Sequence, residues 1–251
     1  AQFTKKFNEW MLEQENYQGT QKEKAIGWRV LEINVQRNLT GVQTQLFDSP
    51  LEVQEQHKSF SQIAPAAEYF LNENYEIPYF YGFARLASLA SYNVEQFIEI
   101  AGYLFDEIIS KSQLDHLTTL TPYEQEALIK KIARKYWDDI PRSVPNGVLV
   151  SKFITEICKM AHEQTMRPTA PYLPGVTGIG ITTSNYFKLH DTGMQKLKPH
   201  YSEIAEVLQS CISYNILRPE YGYKQGQKGK TTHVVLQLNR LLCAHFGMPL
   251  G

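Results

Sequence analysis

The chain has 251 residues, 43% of them hydrophobic and 20% charged, with a formal net charge of −1, the composition of a soluble globular protein with room for one large or two modest domains. No apolar run reaches the roughly 18 residues of a membrane span, and no secretory leader is visible, so a cytoplasmic protein is expected. The three cysteines, Cys158, Cys211 and Cys243, are an odd count and suit reduced core positions better than a disulfide framework.

The charge is unevenly spread. Residues 1–180 hold 17 Lys and Arg against 22 Asp and Glu, and residues 181–251 hold 8 against 4. Glycine shifts the same way, with 6 of 15 in residues 1–174 and 9 in 175–251. A division near RPTAPYLPGVTGIG is therefore expected: residues 1–165 as a helical bundle, 166–180 as a Pro/Gly linker, and 181–251 as a small basic domain. The basic excess in that last part suits an anionic partner.

In chain order, Phe3, Phe7, Trp10 and Met11 fall at helical spacing, as do Trp28, Leu31, Val35 and Leu39. Ser49-Pro50-Leu51-Glu52 has the form of a helix start, residues 62–72 of a short helix, and 73–78 of a loop. Asn93 is placed to cap a helix whose stripe of Val94, Phe97, Ile98, Ala101, Leu104, Phe105 and Ile108 is expected to face a core. Thr121-Pro122-Tyr123-Glu124 reads as a capping box. It opens a helix with Leu128, Ile129, Ile132, Ala133, Tyr136 and Trp137 inward and Lys130, Lys131, Arg134 and Lys135 on a solvated face. Residues 147–162 turn Val150, Phe153, Ile154, Ile157, Cys158 and Ala161 to one side.

The stretch 199–238 changes period. Pro199 suits a first helical turn, and Ile204, Val207, Leu208, Cys211 and Ile212 make an apolar face. Arg218-Pro219 must follow the helix end. Tyr221 to Lys224 can be extended, Gly222, Gly226 and Gly229 permit a reversal, and His233 to Leu238 is a plausible return strand. Helix, strand, basic tip and strand is the order of the second half of a winged helix. The fold class expected is thus mainly α, a helical bundle followed by a small α+β winged-helix domain.

Catalytic motifs are few. GQKGKTT resembles the end of a P-loop, but the first glycine of that pattern falls on Lys224, and strand-like residues follow where a helix should open. His162-Glu163-Gln164-Thr165-Met166 begins like a zinc-protease helix but has Met166 where the second ligand belongs. No C-x-x-C pair occurs, and His190, His200, His233 and His245 match no metal spacing. No catalytic set and no cofactor site are expected within this chain.

Four segments carry a resemblance. ARLASLASYNVEQFIEIAGYLFDEI (84–108) resembles the lid helices of AAA+ P-loop ATPases, where L-A-S-G-N-V-R-x-F-L opens a helix near the nucleotide. TPYEQEALIKKIARKYW, TAPYLPGVTGIGI and YGYKQGQKGKTTHVVLQLNRLLCAHFGMPLG resemble the C-terminal part of bacterial ATPases related to the origin-recognition-complex type. The resemblance implies a lid-like bundle and a winged helix belonging to a longer protein, whose N-terminal P-loop core would bind Mg-ATP. Where many lids carry a γ-phosphate-sensing arginine after the Asn-Val step, this chain has Glu95; Arg85 is the nearest preceding cation and the nucleotide-sensing candidate.

The expected partner is duplex DNA. Lys224, Lys228 and Lys230 would meet phosphates at the hairpin tip, with Tyr223, Gln225 and Gln227 adding hydrogen bonds and Lys196 and Lys198 contacting backbone. Gln209, Ser210 and Ser213 on the polar helix face would reach base edges, although Glu203 and Glu206 share that side. The rival reading is a protein-interaction module, docking on the ATPase core or a neighbouring subunit of a ring.

Overall fold

The computed structural model describes residues 2–39, 53–116, 119–166, 177–190, 199–224 and 232–250. The described chain is mainly helical, with one three-stranded antiparallel sheet. It divides into two compact units, residues 1–79 with 164–175 and residues 80–163 with 176–251.

The first unit contains α1 (Gln2–Asn16), α2 (Gln21–Leu39) and α3 (Val53–Tyr75). Its core joins Val30 and Ile33 of α2 to Ile63 and Ala67 of α3, with Ile26, Ala64 and Phe70 against them. Helix α3 is far longer than the expected 62–72 and runs through Pro65. Proline removes one helix hydrogen bond and crowds the preceding turn. Here Ile63, Ala67 and Leu71, all buried, continue the packed face across the proline, so tertiary contact overrides the local signal. The helix also takes the first residues of the expected 73–78 loop and stops at Glu76, which has φ 57°. The expected start at 49–52 lies outside the described residues.

The second unit holds α4 (Phe83–Leu89), α5 (Val94–Asp115), α6 (Pro122–Ser143), α7 (Gly147–Thr165) except its last two residues, β1 (Gly178–Thr182), α8 (Thr183–His190), α9 (Pro199–Ser213), β2 (Leu217–Lys224), β3 (Thr232–Leu238) and α10 (Arg240–His245). The local signals hold where the chain supplies both partners of a cap. Asn93 accepts from the amides of Glu95 and Gln96. Thr121 and Glu124 form the full reciprocal capping box, with Pro122 in the first turn. Ile129, Ile132, Ala133 and Ile140 of α6 and Val150, Ile154, Ile157, Cys158 and Ala161 of α7 are buried as their spacing requires.

The packing does not respect the expected break at 165. One continuous core joins Ile140 and Val144, five inward residues of α7, Tyr186 of α8, Val207, Leu208 and Cys211 of α9, Val234 and Leu236 of β3, and Leu242 and Cys243 of α10. Helix α7 thus belongs to the core of the α+β part. Residues 178–180, expected as linker, form most of β1, which pairs with β3 from Gly178↔Gln237 to Thr182↔His233. Gly178 sits so close to its partner strand that a Cβ would meet the Leu236 carbonyl oxygen at 2.2 Å. The glycine that made this stretch resemble a linker is what lets the strand approach.

Helix α5 departs most from its sequence pattern. Ile100 is fully buried, but Val94, Ile98 and Phe105 of the expected inward stripe are 70%, 63% and 60% exposed. Phe97 is half-buried and meets Phe83 edge-on. The helix is apolar on more than one side, and its buried anchor beside Ile100 is polar: Gln96, whose amide is fully occupied in the interior.

Candidate nucleic-acid interface

The sheet order is β1-β3-β2, so the hairpin β2–β3 has β3 in the middle. Period-two alternation separates two faces. Leu217, Leu238, Leu236 and Val234 point into the core. Arg218, Glu220 and Tyr223 of β2 lie opposite Gln237, Val235 and His233 and share the outer face. The register shifts between Glu220 and Tyr223, where Gly222 has φ 84°. A left-handed residue at a bulge suits glycine. Tyr221, on the shifted segment, is tied back to α8: its hydroxyl lies 3.2 Å from that of Tyr186, and the rings meet edge-on. Tyr223 is 57% exposed on the outer face.

Among the candidate contacts, Lys224 ends β2. Gln225, Gln227, Lys228 and Lys230 fall between the strands, and Lys196 and Lys198 precede α9; these six lie outside the described residues. The residues after them form β3, so the helix a P-loop needs does not follow GQKGKTT. With Lys224 in place of its first glycine, this segment does not fit a Mg-ATP phosphate cradle.

On α9, Gln209 and Ser213 are exposed and Ser210 is turned inward, 7% exposed. These three gather with Pro145, Asn146, Glu206 and Tyr214 around a shallow polar cleft at the α6–α7 turn. Asn146, itself at φ 55°, donates to Glu206 at 3.3 Å. Glu203 is exposed nearby, so the helix offers carboxylates where a groove-reading helix needs donors. Arg85 is half-buried on α4.

A further cluster is built by residues distant in sequence. Between α4 and α5 the chain turns through Ser91 and Tyr92, at φ 51° and 63°. Left-handed conformations of this kind cost about 1–3 kcal/mol each for residues other than glycine. Asn239, 2% exposed, holds the turn. Its Nδ2 donates to Gln96 Oε1 and to the Asn215 carbonyl, both at 2.9 Å. Its Oδ1 accepts from Gln96 Nε2 at 3.1 Å and caps α10 by accepting from the Leu241 amide at 2.9 Å. Gln96 Nε2 also donates to the Leu89 carbonyl, and the Arg240 amide donates to Ser91 Oγ at 2.7 Å. The turn delivers Tyr92, 76% exposed, to two arginines, with the guanidinium carbons of Arg218 and Arg240 at 4.5 and 5.6 Å from its ring centre. Sequence reasoning missed this cluster because residues 92, 218 and 240 share no local pattern; Arg218 served there only to mark a helix end.

The cysteines offer no reactive thiolate. Burial pushes Cys211 and Cys243 up to about 12, and Cys158 higher still, which keeps all three protonated at neutral pH. Among the described residues no group of three or more His, Cys, Asp or Glu side chains is placed to hold a metal, and no helix is long and apolar enough to cross a membrane.

A family model described as ORC-CDC6-like matches residues 55–251. The chain belongs to the ORC-CDC6-like family. This relates it to AAA+ ATPases of the ORC/CDC6 type. The ORC-CDC6-like region takes in nearly all of α3, both hairpin strands and the Tyr92 cluster. No curated protein and no solved structure matches the chain.

Proposed function

We propose that this chain is the DNA-binding C-terminal portion of an ORC-CDC6-like ATPase. In this reading α4–α6 are lid-like helices, and α7 to β3 form a winged helix that meets duplex DNA mainly through its hairpin tip. The observation that carries the reading is the antiparallel hairpin itself. Its two strands belong to a sheet packed on α7, α8 and α9, and the sequence that joins them carries Lys224, Lys228 and Lys230 within seven residues. Helices followed by a basic-tipped hairpin are the parts a winged helix brings to DNA. The parent protein would bind Mg-ATP in a P-loop core outside this chain, with Arg85 the residue here nearest to a nucleotide-sensing role.

The test is a salt titration of duplex binding. Each phosphate contact removed lowers the slope of log affinity against log salt by about 0.9. Changing Lys224, Lys228 and Lys230 to Ala is expected to flatten the slope by up to about 2.7 at an unchanged unfolding temperature. Equal slopes for two equally folded proteins would remove the tip from the interface.

A protein-docking reading has one observation in its favour. Val94, Ile98, Phe105 and Ile109 of α5 form an exposed apolar row, with Glu95, Glu99 and Asp106 exposed along one side. Such a surface suits an apolar partner with a basic edge, and affinity there would depend only weakly on salt.

A further inference from the structure

We propose that Tyr92, Arg218 and Arg240 form a second phosphodiester contact for duplex DNA, at the base of the hairpin rather than at its tip. The proposal rests on the DNA-binding reading and extends it to residues with no part in the tip.

The argument begins with the cost of the arrangement. Two consecutive non-glycine residues, Ser91 and Tyr92, are left-handed; Ser91 Oγ accepts from the Arg240 amide and lies 3.4 Å from Asn239 Oδ1, and Gln96, paired with Asn239, holds the Leu89 carbonyl just before the turn. The result is an aromatic ring in solvent rather than in a core. Strained backbone that is over-determined by its surroundings clusters at ligand clamps. Two cations from different elements, β2 and α10, then converge on this one ring, although like charges brought together repel.

Stacking engages only the face of a guanidinium. Its five N–H donors lie in the plane, directed at the rim, where they match phosphate geometry. Arg218 uses one of them on Gln237 Oε1, at 3.4 Å. Among the described residues no carboxylate lies within ion-pair distance of Arg218; the nearby Glu220 accepts instead from the Gln237 amide. The ring thus holds Arg218 in one orientation while its charge is left without an acid, the state that suits an anion arriving from solvent.

The placement fits a duplex that also touches the tip. Arg218 and Tyr223 share the outer face of the sheet. Because the bulge absorbs one residue, Arg218 and Lys224 are five ladder positions apart, opposite Gln237 and Thr232, about 17 Å at a rise of ~3.3 Å per residue. That is well within the roughly 34 Å of one duplex turn. A purely packing role makes a different forecast: losing the stack would lower stability and leave the salt dependence alone.

The experiment compares the full chain with Arg218→Gln/Arg240→Gln, with the triple tip-lysine variant, and with the two combined, on a 20-base-pair duplex of mixed sequence. Binding is titrated in salt, and thermal unfolding is the control. The double arginine variant is expected to lower the slope by about 1.8, and to add its loss to that of the tip variant. If it unfolds, Arg218→Gln alone decides, with an expected loss of about 0.9. A folded arginine variant with the wild-type slope, beside a tip variant that has lost its share, overturns this site and leaves the DNA-binding reading standing. A wild-type chain with no salt-dependent duplex affinity overturns both.

Discussion

Replacing Asn239 by Ala tests how the second unit is held together. The side chain is 2% exposed and caps α10, and its amide is paired reciprocally with that of Gln96, 7% exposed. Loss of the cap alone costs about 1 kcal/mol. Gln96 Oε1 and the Asn215 carbonyl then lose the donor they share, and a buried polar group without a partner costs about 1–3 kcal/mol. Gln96 Nε2 retains the Leu89 carbonyl at 2.8 Å, and water can enter the space left behind, so the net cost is set at about 2–4 kcal/mol. Trp137 reports on α10 directly: its ring stacks on His245 at 5.5 Å and meets Phe246 edge-on at 4.8 Å. With Trp10 and Trp28 changed to Phe, urea unfolding followed by the remaining tryptophan gives the stability of this region. Combining Asn239→Ala with Gln96→Ala should show a coupling of about 0.5–3 kcal/mol. A single variant within about 0.5 kcal/mol of wild type, or strict additivity of the pair, would refute the claim that this amide pair locks the α4–α5 turn to the start of α10.

Two further expectations separate packed from exposed elements and charged from neutral caps. Ile154→Ala, at a fully buried site in the shared core, should cost about 2–5 kcal/mol, whereas Ile98→Ala on the exposed row of α5 should stay within about 0.5 kcal/mol; equal costs in urea unfolding would mean that α5 is buried by the face its sequence suggests. Glu124 is held at about 2, below its ordinary 4.5, by Lys111 at 2.5 Å and by the Thr121 amide and hydroxyl. A depressed carboxylate contributes stability that is fully present above its ordinary pKa and is lost as pH falls through its folded value. The difference in unfolding temperature between wild type and Glu124→Gln should therefore be constant from neutral pH down to about 5 and close towards pH 2; a gap that persists at the acid end would mean that the charge is not the cause.

The parts of this fold that were legible are those decided within a few residues. The caps at Asn93 and Thr121 need only their own first turns, and the inward faces of α6 and α7 need only helical spacing; on α9 the expected face holds at Val207, Leu208 and Cys211 but not at Ile204, which is 45% exposed. The hairpin was legible because its turn chemistry and its β-branched return strand lie side by side. What escaped was decided at long range. Helix α5 carries apolar residues on two faces, and the choice between them was made by Gln96, a polar residue that can be buried only because Asn239, 143 positions away, answers both ends of its amide. Strand β1 escaped because its two glycines resemble a linker until the partner strand is present. Helix α7 was assigned to the bundle because its stripe does not say what it faces, and the structure turns that stripe toward the sheet.

The distribution of charge within the second unit bears on how a duplex would approach. A recognition helix in a major groove brings its first turns between two rows of phosphates. On α9 those turns carry Glu203, exposed, and Glu206, half-buried and engaged by Asn146. Opposite charges would favour the contact by about 1 kcal/mol per pair at 4 Å in water, and like charges oppose it by the same amount. Ser210, one of three candidates for base contact on that helix, is turned inward, and the other two look onto the cleft shared with Pro145 and Asn146. The hairpin has the opposite character. Its outer face presents Arg218 and Tyr223, and its sequence continues through Lys224, Lys228 and Lys230. A duplex drawn along that face would meet cations at both ends and only Glu220 between them, with that carboxylate already accepting from Gln237. Binding of this kind tracks the phosphate backbone rather than the bases, so affinity should respond strongly to salt and weakly to sequence.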